Sequence, residues 1–214
     1  MVIFFYLCDI DLLKKIGMKH SSKLLVCVLF AFLSFNVFAQ SKWSITGGYL
    51  NASIVSTDMF WGESDFGNDN GFYLGAIDEI PIQSIQNFYF EPAFIYSFAG
   101  SKNGSILETI HIANIPLRFK YKANVSKQAA LFGFFGPVFS MGISATERSG
   151  KEVYSLYDEL LRRGDIKLGI GAGVELSRFL SFRVGYDWGL FNASKISGLS
   201  AKINYLHAGV SVAL

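Results

Sequence analysis

Cysteine is almost missing from this chain of 214 residues: Cys8 and Cys27 are the two, and both precede residue 40. From residue 40 onward there is no disulfide, no thiolate nucleophile and no cysteine ligand for a metal. Histidine is nearly as scarce, with His111 and His207 isolated in the same stretch, so a transition-metal site is not expected. Charged residues make up only 17% of the chain, and residues 40–214 keep 15 basic against 15 acidic side chains. That balance lacks the basic field that nucleic-acid binding needs. No Gly-x-Ser-x-Gly elbow occurs. Gly169, Gly171 and Gly173 alternate with Leu168, Ile170, Ala172 and Val174 with no helix following, which is not the pattern of a nucleotide loop. No cofactor is expected, and the chain does not read as an enzyme.

What is present begins with an export signal. Met18-Lys19-His20-Ser21-Ser22-Lys23 is a short basic start, and Leu24–Phe38 is an almost unbroken apolar run. Val37-Phe38-Ala39 then offers small residues before Gln40. This reads as a cleaved secretory signal peptide; the apolar run is short of the ~20 residues of a spanning helix. Residues 1–17 read as a mis-called start upstream of Met18. The expected division is therefore 1–39, removed, and 40–214, a single exported domain.

That domain alternates apolar and polar residues with a period of two. Leu180, Phe182, Val184, Tyr186, Trp188 and Leu190 share one face of a strand; Ser181, Arg183, Gly185, Asp187 and Gly189 share the other. A membrane-crossing strand needs roughly 9–11 such residues. Eight strands are expected: 42–53, 71–80, 86–98, 108–121, 128–144, 165–176, 180–192 and 199–214. Long connections (54–70, 146–164) alternate with short ones (81–85, 122–127, 177–179), as outer loops and periplasmic turns do in outer-membrane barrels. The fold class expected is all-β: an eight-stranded antiparallel up-and-down transmembrane β-barrel, with a short helix over Glu152–Arg163 in the third outer loop. A lipocalin-like soluble barrel would turn the faces inside out; the glycines on the charged face and the loop phase favour the membrane form.

Aromatics stand near both expected water interfaces: Trp43, Phe88, Tyr121 and Phe182 at the short-turn end, Tyr49, Phe72, Tyr96 and Trp188 at the other. The fifth strand breaks phase between Phe132/Phe134 and Phe139/Met141/Ile143. A bulge at Gly136-Pro137 would bring both sets to the lipid side.

His111-Ile112-Ala113-Asn114-Ile115-Pro116-Leu117-Arg118-Phe119-Lys120-Tyr121 resembles the Tyr-Leu-Glu-Ile-Pro strand of the PorT-like outer-membrane β-barrel family of the Bacteroidetes type. Phe90–Ser97, Leu168–Glu175 and Val184-Gly185-Tyr186 are similar to its third, sixth and seventh strands. Asn114 stands where that family usually has glutamate, and Leu214 ends the chain where a phenylalanine is commoner. The resemblance spans Lys42 to Leu214. It implies an eight-stranded barrel whose relatives mostly lack defined activities, one branch serving a protein-secretion machine.

Two groups of residues carry candidate function. Glu91, Asn114, Arg118, Lys120, Asp165, Lys167, Glu175, Arg183, Asp187 and His207 fall on the inward parity. An eight-stranded barrel is just wide enough for side chains to fill, and charges inside it must pair. They read as a structural charge network, with Glu175 diagonal to Arg183 and Lys167 diagonal to Asp187. The first outer loop holds Asp58, Phe60, Trp61, Glu63, Asp65 and Phe66 without a Lys or Arg, a candidate partner-binding loop; its acids miss the spacing of a calcium loop. The expected role is membrane structure, adhesion or partner binding at the outer loops, in contact with outer-membrane lipid. An accessory role in a secretion or transport complex is the alternative.

Overall fold

In the computed structural model, residues 41–58, 62–103, 106–149, 152–177, 179–196 and 198–214 are described. The expected signal peptide, its cleavage site and the upstream start lie outside them. Nine strands run in chain order: β1 Lys42–Asp58, β2 Gly62–Pro81, β3 Phe88–Asn103, β4 Ile106–Asn124, β5 Ala129–Ser149, β6 Glu152–Ser155, β7 Gly164–Leu176, β8 Leu180–Gly189 and β9 Leu199–Ala213. Every neighbouring pair is antiparallel, and β9 returns to β1 while β4 pairs with β5. Eight strands therefore close into a barrel, and β6 is an annex on the outer end of β5. Closure leaves no open edge, which a sheet in hydrocarbon requires.

Alternation decides the two faces. On β8, Phe182, Val184 and Trp188 are exposed while Ser181, Arg183, Gly185 and Asp187 are buried. On β1, Trp43, Ile45 and Tyr49 face out and Thr46 and Leu50 face in. Of the belt aromatics, Trp43, Tyr121 and Phe182 are exposed at one end and Tyr49, Phe72 and Trp188 at the other; Phe88 and Tyr96 are half-buried.

Short turns join the strands at the end where the chain enters. Asn87 and Ser177 take φ of 62° and 57° there, a left-handed conformation that Asn tolerates better than most residues. In the next turn the Ser126 hydroxyl accepts hydrogen bonds from the backbone N–H groups of Gln128 and Ala129, a side-chain substitute for a backbone turn.

Three expectations are corrected. The ladder reaches further outward than the hydropathy suggests: β1 and β2 pair as far as Asp58 and Gly62, with an irregularity between Ser53 and Val55. Glu63, Asp65 and Asp69 on one parity and Ser64, Asn68 and Asn70 on the other are all polar, so apolar alternation does not mark this stretch as a strand. The 152–163 helix is a single turn, α1 (Leu156–Glu159), preceded by β6, which pairs with Thr146–Ser149.

The third correction concerns β5. Its pairing with β7 runs without a shift from Ala129 through Gly136 and Pro137 to Met141, so no bulge lies there. Phe132 and Phe134 point inward and are 3% and 2% exposed. The inward glycines of β7 make this possible. A Cβ on Gly171 would strike the Phe134 ring, and one on Gly173 the Phe132 ring. The small residues of one strand are the sockets for the large residues of the next.

Candidate functional site

The barrel interior has two layers of different chemistry. Nearest the short turns is an alternating chain of charge. Lys42 Nζ meets Glu175 Oε1 at 3.0 Å, and Glu175 Oε2 meets Lys122 Nζ at 2.8 Å. Lys122 also donates to Glu79 at 2.6 Å, Glu79 accepts from Lys120 at 2.7 Å, and Lys120 lies 3.2 Å from Glu91. Glu91 finally takes a two-pronged bond from Arg183, Nη1 to Oε1 at 3.0 Å and Nη2 to Oε2 at 3.2 Å. These seven side chains come from β1, β2, β3, β4, β7 and β8, so the chain ties together most of the wall.

One level outward, Arg118 donates to Asp187 at 3.0 and 3.3 Å. His207 Nε2 stands 3.3 Å from the same Arg118 nitrogen and 3.6 Å from Asp187 Oδ1. Asn114 donates to the Ser97 hydroxyl at 2.9 Å and accepts from Ser140 at 2.7 Å. Lys167 binds Asp165 and donates to the Ile203 carbonyl at 3.0 Å.

The inward phenylalanines of β5 face the cations. Lys120 Nζ lies 4.1 Å from the Phe132 ring centre, and the Arg118 guanidinium 4.8 Å from that of Phe134. Cations are attracted to ring faces, more strongly where water is excluded.

All ten residues expected on the inward face point into the barrel, but two expected partnerships are corrected. The β7–β8 register does set Glu175 diagonal to Arg183 and Lys167 diagonal to Asp187. Their partners are nonetheless elsewhere: Arg183 reaches Glu91 on β3, Asp187 reaches Arg118 on β4, and Lys167 pairs within its own strand. In a narrow barrel the far wall is as close to a long side chain as the next strand is. Sequence reasoning also missed Lys42, Glu79 and Lys122. Lys42 shares its parity with Thr46 and Leu50 in the expected strand 42–53, and Glu79 with Tyr73 and Ile77 in 71–80, while Lys122, on the parity of Arg118 and Lys120, lies one residue past the expected end of 108–121; following the inward parity along each strand finds all three.

The outer half of the lumen is apolar. Leu50, Ile95, Ile110, Ile112, Ile203 and Tyr205 form a core there, joined by Tyr157 from α1 and Ala193 from the last outer loop. The two loops are stitched together over the mouth. Arg162 N–H donates to the Ala193 carbonyl at 2.8 Å, Lys195 N–H to Leu160 at 2.9 Å, and Lys195 Nζ to the Tyr157 carbonyl at 2.5 Å. Tyr157 sits in a socket left by Gly142, where a Cβ would meet its ring.

Burial pushes the Tyr157 hydroxyl up to about 12, against the opposing pull of the Arg163 guanidinium beside its ring. The neutral phenol is the folded form. Its contribution to the cap is complete below pH ~10, the free tyrosine value, and is lost as pH rises toward 12. Ultraviolet titration at alkaline pH should show one fewer late-ionising phenol in Tyr157→Phe than in the parent. Identical curves would mean that Tyr157 titrates as a surface residue.

The candidate binding residues divide. Asp58 lies in β1, and Glu63, Asp65 and Phe66 lie in β2; Phe60 and Trp61 fall outside the described residues. Among the described residues, no group of three or more His, Cys, Asp and Glu side chains could hold a metal ion.

The family model described as outer membrane protein beta-barrel domain matches residues 25–213. No curated protein matches the sequence. Among solved structures, Ail of Yersinia pestis, in complex with the heparin analogue sucrose octasulfate, is similar at 16% identity, covering 82% of this chain and 99% of that one, with a TM-score of 0.44. Neisserial surface protein A is similar at 15% identity, 81% and 98% coverage and a TM-score of 0.47. The outer membrane protein OprG of Pseudomonas aeruginosa is similar at 10% identity, 81% and 96% coverage and a TM-score of 0.45.

Proposed function

This chain belongs to the outer membrane protein beta-barrel domain family, and from that premise we propose that it is a non-enzymatic barrel of the bacterial outer membrane that works through its outer end. The observation that carries this reading is the state of the lumen. Glu91, Lys120, Arg118, Arg183 and Asp187 are each nearly fully buried and engaged with one another across it. Groups so paired hold the walls in register and are a structural charge network. Above them an apolar core and a stitched cap fill the mouth. The surface left to meet other molecules is the outer hairpins, foremost β1–β2 with Asp58, Phe60, Trp61, Glu63, Asp65 and Phe66. Membrane structure, adhesion or the binding of a protein partner is the role that this surface supports.

The Ile115-Pro116 strand supports the finer assignment to the PorT-like branch. An accessory role in a secretion complex rests on that resemblance. Export through a signal peptide cleaved before Gln40 completes the proposal; N-terminal sequencing of the membrane-bound protein is its check.

Two measurements test the functional reading. In a planar bilayer the barrel should give no large, steady single-channel currents, because its own side chains fill it. Sustained porin-like conductance would overturn the filled interior. Replacing residues 58–66 by a short Gly-Ser turn should leave a boiling-dependent shift in gel mobility unchanged and remove adhesion or partner capture. Capture that survives this change would exclude the hairpin as the binding element.

A further inference from the structure

The apolar outer wall does not stop at one level around the barrel. Beyond the belt aromatics, the outward residues of β1, β2 and β4 turn polar. Asn51 follows Tyr49 on β1, and Asn70 precedes Phe72 on β2; their side chains bond each other at 3.0 Å. On β4, His111 is bonded to Tyr96 at 2.5 Å, and Thr109 to Thr146 of β5 at 2.9 Å.

The arc formed by β5, β7 and β8 behaves differently. Beyond Phe139, β5 presents Met141 and Ile143, 65% and 52% exposed; beyond Trp188, the chain presents Leu190 and Phe191, 52% and 56% exposed. The cap continues this arc. Leu190 N–H donates to the Ile166 carbonyl, and Leu161 bridges Ser194, so the strands of the β7–β8 hairpin extend upward as residues 160–163 and 190–195. Leu161 packs against the core. Leu160, its neighbour, is exposed, as is Ile196.

We propose that this arc is an apolar shoulder seated in the acyl chains of the outer leaflet, so that the cap is held in lipid while the opposite side of the mouth stands in water. The occupant follows from continuity: Met141, Ile143 and Leu190 carry on the outward faces that Phe139 and Trp188 present below them, and exposed apolar side chains grouped in this way mark a membrane or interaction surface. The exposed charges on the two strand extensions, Arg162, Arg163 and Lys195, are cations; they suit lipid headgroup phosphates above the acyl chains, whereas a second copy seated on the patch would bring like charges together. The consequence is an asymmetric mouth. The β1–β2 and β3–β4 hairpins are lifted clear on the polar side, and partners approach from there. This last step rests on the partner-binding reading above; the shoulder does not.

The test uses single cysteines in the chain with Cys8 and Cys27 replaced by serine. Nitroxide labels are placed by Leu160→Cys and Ile196→Cys on the shoulder, Asn51→Cys on the polar side and Val184→Cys in the belt. The barrels are reconstituted in palmitoyl-oleoyl phosphatidylcholine vesicles. Power saturation compares access of oxygen, which concentrates in lipid, with access of a water-soluble nickel chelate. The ratio at 160 and 196 should match that at 184 and exceed that at 51 several-fold. Ratios at 160 and 196 equal to that at 51 would overturn the shoulder, and an aqueous ratio at 184 would overturn the membrane reading itself. Spin–spin broadening that vanishes on dilution with unlabelled barrel would assign the patch to a second copy, which also overturns the proposal. Leu190→Cys gives the same reading on the strand, independent of whether the cap folds.

Discussion

Glu91→Ala is expected to cost about 3–5 kcal/mol of stability, the range for removing one partner of a buried ion pair. Glu91 is 1% exposed and is shared by Arg183 and Lys120. Its loss leaves the Arg183 guanidinium with no carboxylate among the described residues at bonding distance, whereas Lys120 keeps Glu79. Adding Arg183→Met to Glu91→Ala should recover part of the loss, because it removes the stranded charge and leaves an apolar side chain beside Phe132 and Phe134. Denaturant unfolding followed by tryptophan fluorescence gives each corner of the cycle. Coupling between positions 91 and 183 should lie well outside the ~0.3–0.5 kcal/mol scatter of independent sites. The companion cycle between Glu175 and Arg183 should be close to additive, since Glu175 is held by Lys42 and Lys122. Strong coupling in that second cycle, with none in the first, would mean that the cross-lumen partners are wrong and the diagonal ones right.

Tyr157→Ala should open the cap. The ring fills the Gly142 socket and is 4% exposed, and truncating a buried aromatic to alanine costs about 3–5 kcal/mol where the site cannot collapse. The barrel strands below do not depend on α1, so the loss should be local. Limited proteolysis should cut between residues 151 and 163 in Tyr157→Ala far faster than in the parent, while the boiling-dependent gel shift persists. Tyr157→Phe keeps the packing and should resist the protease like the parent. Equal cleavage of all three proteins would show that Tyr157 does not hold the cap.

The contrast between β8 and β5 shows what was legible in the sequence. On β8 one face is apolar and the other carries Arg183 and Asp187, so each side chain announces its side. On β5, Leu131, Phe132, Phe134 and Phe135 are apolar on both parities. Periodicity cannot say which pair faces lipid, and the expected bulge at Gly136-Pro137 wrongly set Phe132 and Phe134 on the lipid side with Phe139, Met141 and Ile143. The information lay in another strand, in the glycines of β7 that receive the two rings. Likewise, Lys122 was hidden by a strand end drawn one residue too short.

By itself the sequence determined the closed barrel, its inward charge and its outward belt. Alternation is a local property, fixed by the geometry of the extended chain. Which carboxylate meets which cation was decided only by the tertiary structure. Arg183 and Glu91 stand 92 residues apart and on strands that never pair; closure of the barrel brings their long side chains together across the lumen. The same closure made an apolar core of Tyr157, Ala193 and Ile203, which no window of the sequence holds together.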